Sequence, residues 1–147
     1  MAKISGGEKL EARLKELAAK VSNPGTLRVG FLAGSTYPDG TSTPMVAAIH
    51  NFGAPGAGIP PRPFFSNVVA KGRKTWGATL STLLEQNNYD AKKSLRMMGE
   101  GIKGEIQKEI TSGSFAPLKP ATVRRKGFDR PLVDSGHMLN SVDYEVS

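Results

Sequence analysis

The sequence predicts an α+β fold: a small antiparallel sheet packed against two or three long helices, with extended Gly/Pro-rich loops. Three observations support this fold class. Apolar residues recur at helical spacing in several long segments, and they alternate with polar residues in short segments near both ends. In addition, 17 glycines and 10 prolines require much irregular backbone. At 147 residues the whole chain, 1–147, is expected to form a single domain.

Three segments have the apolar periodicity of a helix. The first covers about residues 8–22 and ends at the stop signal Asn23-Pro24-Gly25. The second covers about residues 64–86, and the third, about residues 90–111, has the most regular stripe. We therefore expect these three helices to form most of the domain.

Three glycines interrupt the third predicted helix, namely Gly99, Gly101 and Gly104. Each weakens a helix by roughly 1 kcal/mol relative to alanine. A glycine kept at that cost often allows another backbone to approach closely. This pattern favours a tight helix–helix contact on that face.

Shorter elements complete the predicted fold. Residues 26–33 and the alternation of Val142, Tyr144 and Val146 predict two strands. Residues 34–43 are predicted to be a mobile loop, followed by a short helix over 45–52 with Pro44 at its first position. A helical turn is expected over 122–126. Further on, Asp134 or Ser135, followed by Gly136, is expected to cap a turn that runs to Asn140.

Composition excludes several classes of site. The chain has no cysteine and only two histidines, which disfavours a zinc site and rules out disulfides. Ser135 and His137 are close in sequence, but a cap explains Asp134 and Ser135 more simply than a nucleophile does. We expect no catalytic residues, no cofactor and no metal. Since neither a signal peptide nor a membrane-spanning segment is recognisable, we expect a soluble protein made in a cytoplasm.

The net charge of +7 suggests an alternative function, that of a sequence-independent DNA-binding protein. The positive excess is spread along the chain, which favours an ordinary solvated surface over a dedicated nucleic-acid patch. Base readout would also require more interleaved aromatic residues. The basic residues that would contact DNA form three clusters: Lys71, Arg73 and Lys74; Lys92, Lys93 and Arg96; Lys119, Arg124, Arg125, Lys126 and Arg130.

Three proline-rich signatures, at 59–64, 113–127 and 131–142, have no catalytic spacing but specify stiff backbone. In the first signature, flanking prolines are expected to display Arg62 beside Phe64 on the surface, as an interface anchor. Loops 34–43 and 53–61 are expected to be arms that become ordered against neighbouring subunits.

At these signatures the chain resembles the tail-completion and head–tail joining (neck) proteins of tailed bacteriophages. The resemblance is to the family related to the lambdoid minor tail protein Z and the Mu-type virion morphogenesis protein. Its pattern is Ile-Pro-x-Arg-Pro-Phe, then Gly-x-Phe-x-Pro-Leu-x-Pro-x-Thr-x-x-x-Lys-Gly, then Pro-Leu-x-Asp-[Ser/Thr]-Gly-x-x-x-x-Ser. These blocks fall in order on residues 59–64, 113–127 and 131–141, and the stretch Ala47 to Gly53 also fits.

The resemblance implies a structural virion protein without a catalytic centre, located in the neck or at the top of the tail and assembled in the host cytoplasm. It would form a homo-oligomeric ring, with six or twelve subunits as a guess, beside connector and tail-tube proteins and around DNA in the channel. No membrane partner is expected. The residues that we expect at subunit or ring interfaces are Ile59, Arg62, Pro63, Phe64, Phe115, Leu118, Lys119, Arg124, Arg125 and Lys126.

Overall fold

A computed structural model describes residues 6–23, 25–126 and 136–147. Within these ranges the chain forms seven helices and two strands, which confirms the α+β class. The elements are α1 (Gly7–Val21), β1 (Leu27–Phe31), α2 (Thr43–Phe52), α3 (Phe64–Gly72), α4 (Trp76–Gln86), α5 (Ala91–Ser112), α6 (Pro120–Lys126), α7 (His137–Asn140) and β2 (Val142–Val146). No helix among the described residues is long and apolar enough to cross a membrane.

The sheet joins the two ends of the chain. Strands β1 and β2 pair antiparallel, with Leu27 opposite Val146 and Phe31 opposite Val142. One face of the sheet packs on α5, where the ring of Tyr144 lies over Gly99. On the opposite face, Arg28 pairs with Glu145 at 3.1 Å. This alternation is the expected pattern for an antiparallel sheet with one buried face.

The glycines of α5 serve a different contact from the predicted one. A Cβ at Gly99 would meet the ring of Tyr144 and the side chain of Leu27. The absence of a side chain at Gly99 therefore allows the sheet, and not a second helix, to pack closely on α5. Gly101 and Gly104 face open space. The prediction of a tight helix–helix contact at these three glycines is therefore wrong.

Helix α5 is the centre of the core. The sheet, α3, α4 and α7 all pack against it. Its N-terminus is capped by Asp90, whose Oδ1 accepts a hydrogen bond from the Lys93 backbone N–H at 3.0 Å. The buried residues follow helical spacing along one stripe: Ala91, Ser94, Met98, Ile102, Ile106 and Ile110.

The prediction of one continuous helix over 64–86 is wrong, because the structure has two helices there, α3 and α4. The indole ring of Trp76 lies against Gly72, in the space that a Cβ at this position would occupy. The intervening turn is closed by hydrogen bonds from the Arg73 N–H to the Val69 carbonyl and from the Thr75 N–H to the Gly72 carbonyl. The glycine at 72 thus allows Trp76 to fold back, and the chain changes direction there.

Helix α1 forms where predicted but contributes no buried residue. Its apolar stripe is open to solvent, with Leu10 61% and Leu14 56% exposed. Two polar contacts hold it to the turn before α5: Arg13 Nη2 donates to Asn88 Oδ1 at 2.9 Å, and Lys20 Nζ donates to the Asn88 carbonyl at 3.3 Å. The helix is therefore attached to the domain at its polar side.

The two loops predicted to be arms are closed upon themselves. In the first, Thr36 and Ser42 form a β-bridge. In the second, Ala54 and Ile59 do so around a short 3₁₀ turn, Pro55–Ala57. Their predicted role as arms that become ordered against neighbouring subunits stays a prediction.

The turn before β2 is only partly described. Asp134 and Ser135 lie outside the described residues, so their capping role stays a prediction. Gly136 is the residue that precedes α7, and its φ of +69° lies in the left-handed region that favours glycine.

Candidate interaction groove

The first two proline signatures meet in space and form a groove of about 870 Å³. Residues 59–62 line one side and residues from 117 to 125 line the other. The lining residues are His50, Pro55, Ala57, Gly58, Ile59, Pro60, Pro61, Arg62, Pro117, Leu118, Lys119, Thr122 and Arg125. Segments separated by more than 50 residues in sequence thus build one surface.

The backbone around Gly53 brings the first signature against the end of α2. Gly53 has a φ of +77°, and a Cβ there would lie 2.8 Å from the Pro61 nitrogen, so only glycine fits. The Arg62 N–H then donates to the His50 carbonyl at 2.7 Å. These contacts fix the direction in which residues 59–62 run along the groove.

Asn51 is a structural residue that the sequence reasoning missed. It is buried, and its Oδ1 accepts hydrogen bonds from the N–H groups of Phe65 (3.1 Å) and Ser66 (3.0 Å). Its Nδ2 donates to the Ser66 hydroxyl at 2.7 Å. Since Pro63, which precedes α3, offers no side-chain oxygen, Asn51 caps α3 from another helix. Capping signals are sought next to a helix in sequence, so this one was not found.

Arg62 is not displayed on the surface, contrary to prediction. Its side chain is only 4% exposed, and its Nε donates to the Ala116 carbonyl at 3.1 Å. Burial lowers the pKa of its guanidinium from the ordinary value. Arg62 therefore ties the first signature to the second one.

Phe64, which the sequence also placed at an interface, is not exposed in the single chain. Its side chain is fully buried in the core and packs edge to face against Phe31, with 6.1 Å between ring centroids. In the single chain it has no surface to offer to a neighbour. The proline frame of the first signature thus directs Phe64 inward and Arg62 into the junction.

Apart from Lys126, the remaining predicted interface residues fall into a half-buried group and an exposed group. Phe115 is half-buried and packs against the core. Ile59, Pro63 and Leu118 are half-buried, whereas Lys119, Arg124 and Arg125 are exposed. Lys126 is the last residue of α6. The structure brings Ile59, Leu118, Lys119 and Arg125 to the groove. Their role as contacts with other subunits stays a prediction.

The described lining of the groove carries positive charge. Arg62, Lys119 and Arg125 are cationic, His50 adds an imidazole, and none of the described lining residues is acidic. No salt bridge connects Arg62 with a carboxylate among residues 6–23, 25–126 and 136–147. A groove of this kind is complementary to an anion.

The other two basic clusters lie elsewhere on the chain. Lys71 is at the end of α3, with its Nζ 3.7 Å from Glu109, and Arg73 and Lys74 are exposed in the following turn. The cluster at 92–96 is exposed in the first turns of α5. Among the described residues, the predicted DNA-contacting residues are therefore distributed over separate parts of the fold, and Arg130 lies outside the described residues.

His137 contacts side chains from the N-terminal half of the chain. Its Nε2 lies 3.3 Å from the Thr43 hydroxyl, and its ring centroid is 4.3 Å from that of Tyr37. Thr43 is completely buried, so its hydroxyl is not accessible to a substrate. Ser135 lies outside the described residues. Within the described ranges, no group of three or more His, Cys, Asp or Glu side chains could hold a metal ion.

Comparison of the chain with protein-family models, with curated proteins and with solved structures finds no match. A function for the chain must therefore be inferred from its own residues and their geometry.

Proposed function

We propose that this chain is a structural virion protein of a tailed bacteriophage, which forms a ring in the neck or at the top of the tail and helps to join the tail to the head. It works by assembly with its own copies and with connector and tail-tube proteins, and it turns over no substrate. The observation that carries the proposal is that α1 and α2 each leave more than one large apolar side chain exposed in the single chain.

The first uncovered surface is the apolar stripe of α1. A 15-residue helix is only marginally stable in water without tertiary packing. Its exposed residues Leu10, Leu14 and Val21 are spaced to form one face. Because the described part of the chain leaves these three side chains exposed, we infer that a second subunit covers them.

The second uncovered surface is on α2. Met45 and Phe52, seven residues apart, lie on one side of the helix, opposite the buried Ala47 and Asn51. Phe52 is 72% exposed. Two separate apolar surfaces favour a head-to-tail contact, in which one surface of each subunit meets the other surface of the next. Such contacts form closed rings when the rotation between subunits closes.

The phage assignment itself is supported by the order of the three signatures at 59–64, 113–127 and 131–141. The first two also converge on one groove, as expected of segments that serve a common surface. The resemblance therefore gives the setting, and the uncovered helices give the reason for assembly.

Mass measurement of the purified chain over a range of concentrations tests the assembly. A ring predicts discrete high-order species that dissociate on dilution. Leu14→Gln, which places an amide on the exposed apolar stripe, should shift this equilibrium to the monomer. The neighbouring substitution Lys15→Gln, on the polar face, is the matched control and should leave it unchanged. A wild-type chain that stays monomeric at every concentration would contradict self-assembly.

The phage assignment needs a test of its own. In a complementation assay with a phage that lacks the gene for this chain, wild-type protein should restore infectious particles. Leu14→Gln should instead leave separate filled heads and tails, visible by electron microscopy. Normal joining of heads to tails in the absence of the chain would exclude the proposed role.

DNA binding is the second candidate, and it is favoured by exposed lysines without a salt bridge to any described residue, such as Lys74, Lys92 and Lys93. Phosphate contacts need only such charges, and the affinity should fall steeply as salt is added. A salt titration of duplex DNA binding measures this. If no affinity is detected at low salt, this candidate is eliminated.

A further inference from the structure

We propose that the groove between residues 59–62 and 117–125 binds an extended acidic segment of a partner protein, and that Arg62 receives one of its carboxylates. The proposal concerns the ligand of the groove, and it is independent of whether the chain assembles through α1.

Arg62 provides the first argument. A guanidinium has five N–H donors, and the structure shows one of them, Nε–H, bound to the Ala116 carbonyl. The side chain is 96% removed from solvent, yet no carboxylate among the described residues pairs with it. A buried charge without a counter-ion is costly, and a bound carboxylate would offset part of that cost. Arginine is also the side chain best suited to bidentate carboxylate binding.

The other charges of the groove provide the second argument. Lys119 and Arg125 stand at its exposed side, and His50 lines its floor beside the Arg62 backbone. With three cationic side chains and no acidic one among its described residues, the lining is complementary to a segment that carries more than one carboxylate. The exposed cations would attract the segment, while the recessed Arg62 would fix its position.

The walls of the groove favour an extended peptide. Prolines at 55, 60, 61 and 117 give a rigid lining, and Ile59 and Leu118 add apolar contact surface. A preformed lining loses little conformational entropy when a ligand binds. A volume of about 870 Å³ lies within the usual range for a binding pocket, and it suits a short extended segment.

Two other occupants fit less well. Duplex DNA binds to protruding cations along its backbone, whereas Arg62 is recessed and only 4% exposed. A second copy of this chain carries the same net charge of +7, so its approach to a basic groove is opposed by charge. An acidic partner of another kind therefore agrees best with the structure.

The test is a titration of the full chain, carrying Leu14→Gln to keep it monomeric, with a hexapeptide of alternating glutamate and leucine. The arginine Nε–H resonance of Arg62 is followed by NMR. We expect this resonance to shift, and the counterpart peptide with glutamine in place of glutamate to have no effect. An Arg62 resonance that does not respond to the acidic peptide at millimolar concentration would overturn the proposal.

Variants in α6 locate the site. Arg125→Gln removes an exposed cation of the groove and should weaken binding by about two- to fivefold, the effect of losing one exposed ion pair. Arg124→Gln is the matched control, since Arg124 is on the same helix but does not line the groove, and it should bind as the parent does. Equal weakening by both variants would indicate general charge attraction and would contradict a defined site.

Two further experiments distinguish which molecule supplies the anion. A short DNA duplex that shifts Arg62 with the same dependence on Arg125 would identify a phosphate ligand and overturn the peptide assignment. The chain has two carboxylates outside the described residues, Asp129 and Asp134. If Asp129→Asn or Asp134→Asn alone shifts the Arg62 resonance and creates peptide binding, the chain itself supplies the carboxylate and the partner proposal is wrong.

Discussion

Helices α1 and α5 have similar apolar periodicity in the sequence but opposite surroundings in the structure. Helix α5 buries a full stripe against the sheet and three other helices, and Ile106 on this stripe is 1% exposed. Helix α1 buries no residue and is attached through polar contacts with Asn88. The same pattern therefore accompanies both a helix that forms the centre of the core and a helix that buries no residue.

The N-terminus of α5 is also better stabilised than that of α1. Asp90 caps α5 through a side-chain hydrogen bond, whereas α1 begins after Gly6, which offers no side-chain cap. An amphipathic pattern shows that a helix has an apolar face, but it does not show what covers that face. On the function proposed above, assembly covers the exposed side chains of α1.

The largest expected change in the free energy of unfolding concerns α5, the buried helix of the pair. Ile106→Ala leaves a cavity at the centre of the core and should lower the free energy of unfolding by about 2–5 kcal/mol. Urea denaturation measures the change. A loss below 1 kcal/mol would show that α5 is not packed as the structure describes.

A pair of glycine substitutions in α5 comes next. Gly99→Ala would press a Cβ against Tyr144 and Leu27, and it should destabilise the chain by about 1–3 kcal/mol. Gly101→Ala meets open space, and its better helix propensity should stabilise the chain by about 0.5–1 kcal/mol. Thermal unfolding of the two variants should give shifts of opposite sign. Shifts of the same sign would contradict the contact between α5 and the sheet.

The cap of α5 gives a smaller effect. Asp90→Ala removes the acceptor of the Lys93 N–H and should cost about 1 kcal/mol. Asp90→Asn retains a side-chain oxygen and should cost much less, which makes it the control. If denaturation curves of the two variants coincide with each other and differ from wild type, charge and not capping is responsible.

The smallest effect on the single chain is expected in α1. At concentrations where the protein is monomeric, Leu10→Ala should change the free energy of unfolding by no more than about 0.5 kcal/mol, because the side chain is already exposed. At high concentration the variant should be less stable than wild type, because assembly stabilises only the form that makes the contact. Destabilisation of the monomer comparable with that of Ile106→Ala would mean that α1 packs within the chain.

Much of the secondary structure could be predicted because local signals were consistent. The apolar period of α5 and the alternation in β2 both agree with the structure. The break between α3 and α4 was missed, since it depends on the contact of Trp76 with Gly72 and not on a local stop signal.

The candidate site was predicted less well. The sequence identified the proline signatures, and two of them do line one groove. It could not show that Arg62 points into a junction and Phe64 into the core, because prolines restrict the backbone dihedrals but do not select the side of the chain that faces the core. Asn51 was missed because its partners belong to a different helix.

The sequence by itself determined the fold class, the amphipathic helices, the stiffness of the proline segments and the excess of positive charge. These properties follow from local periodicity and composition, which act over a few residues. Only the tertiary structure decided which apolar faces are covered, that Gly99 admits a sheet, and that residues 59–62 and 117–125 form one basic groove around a buried arginine. These outcomes depend on contacts between distant segments, and no local pattern specifies them.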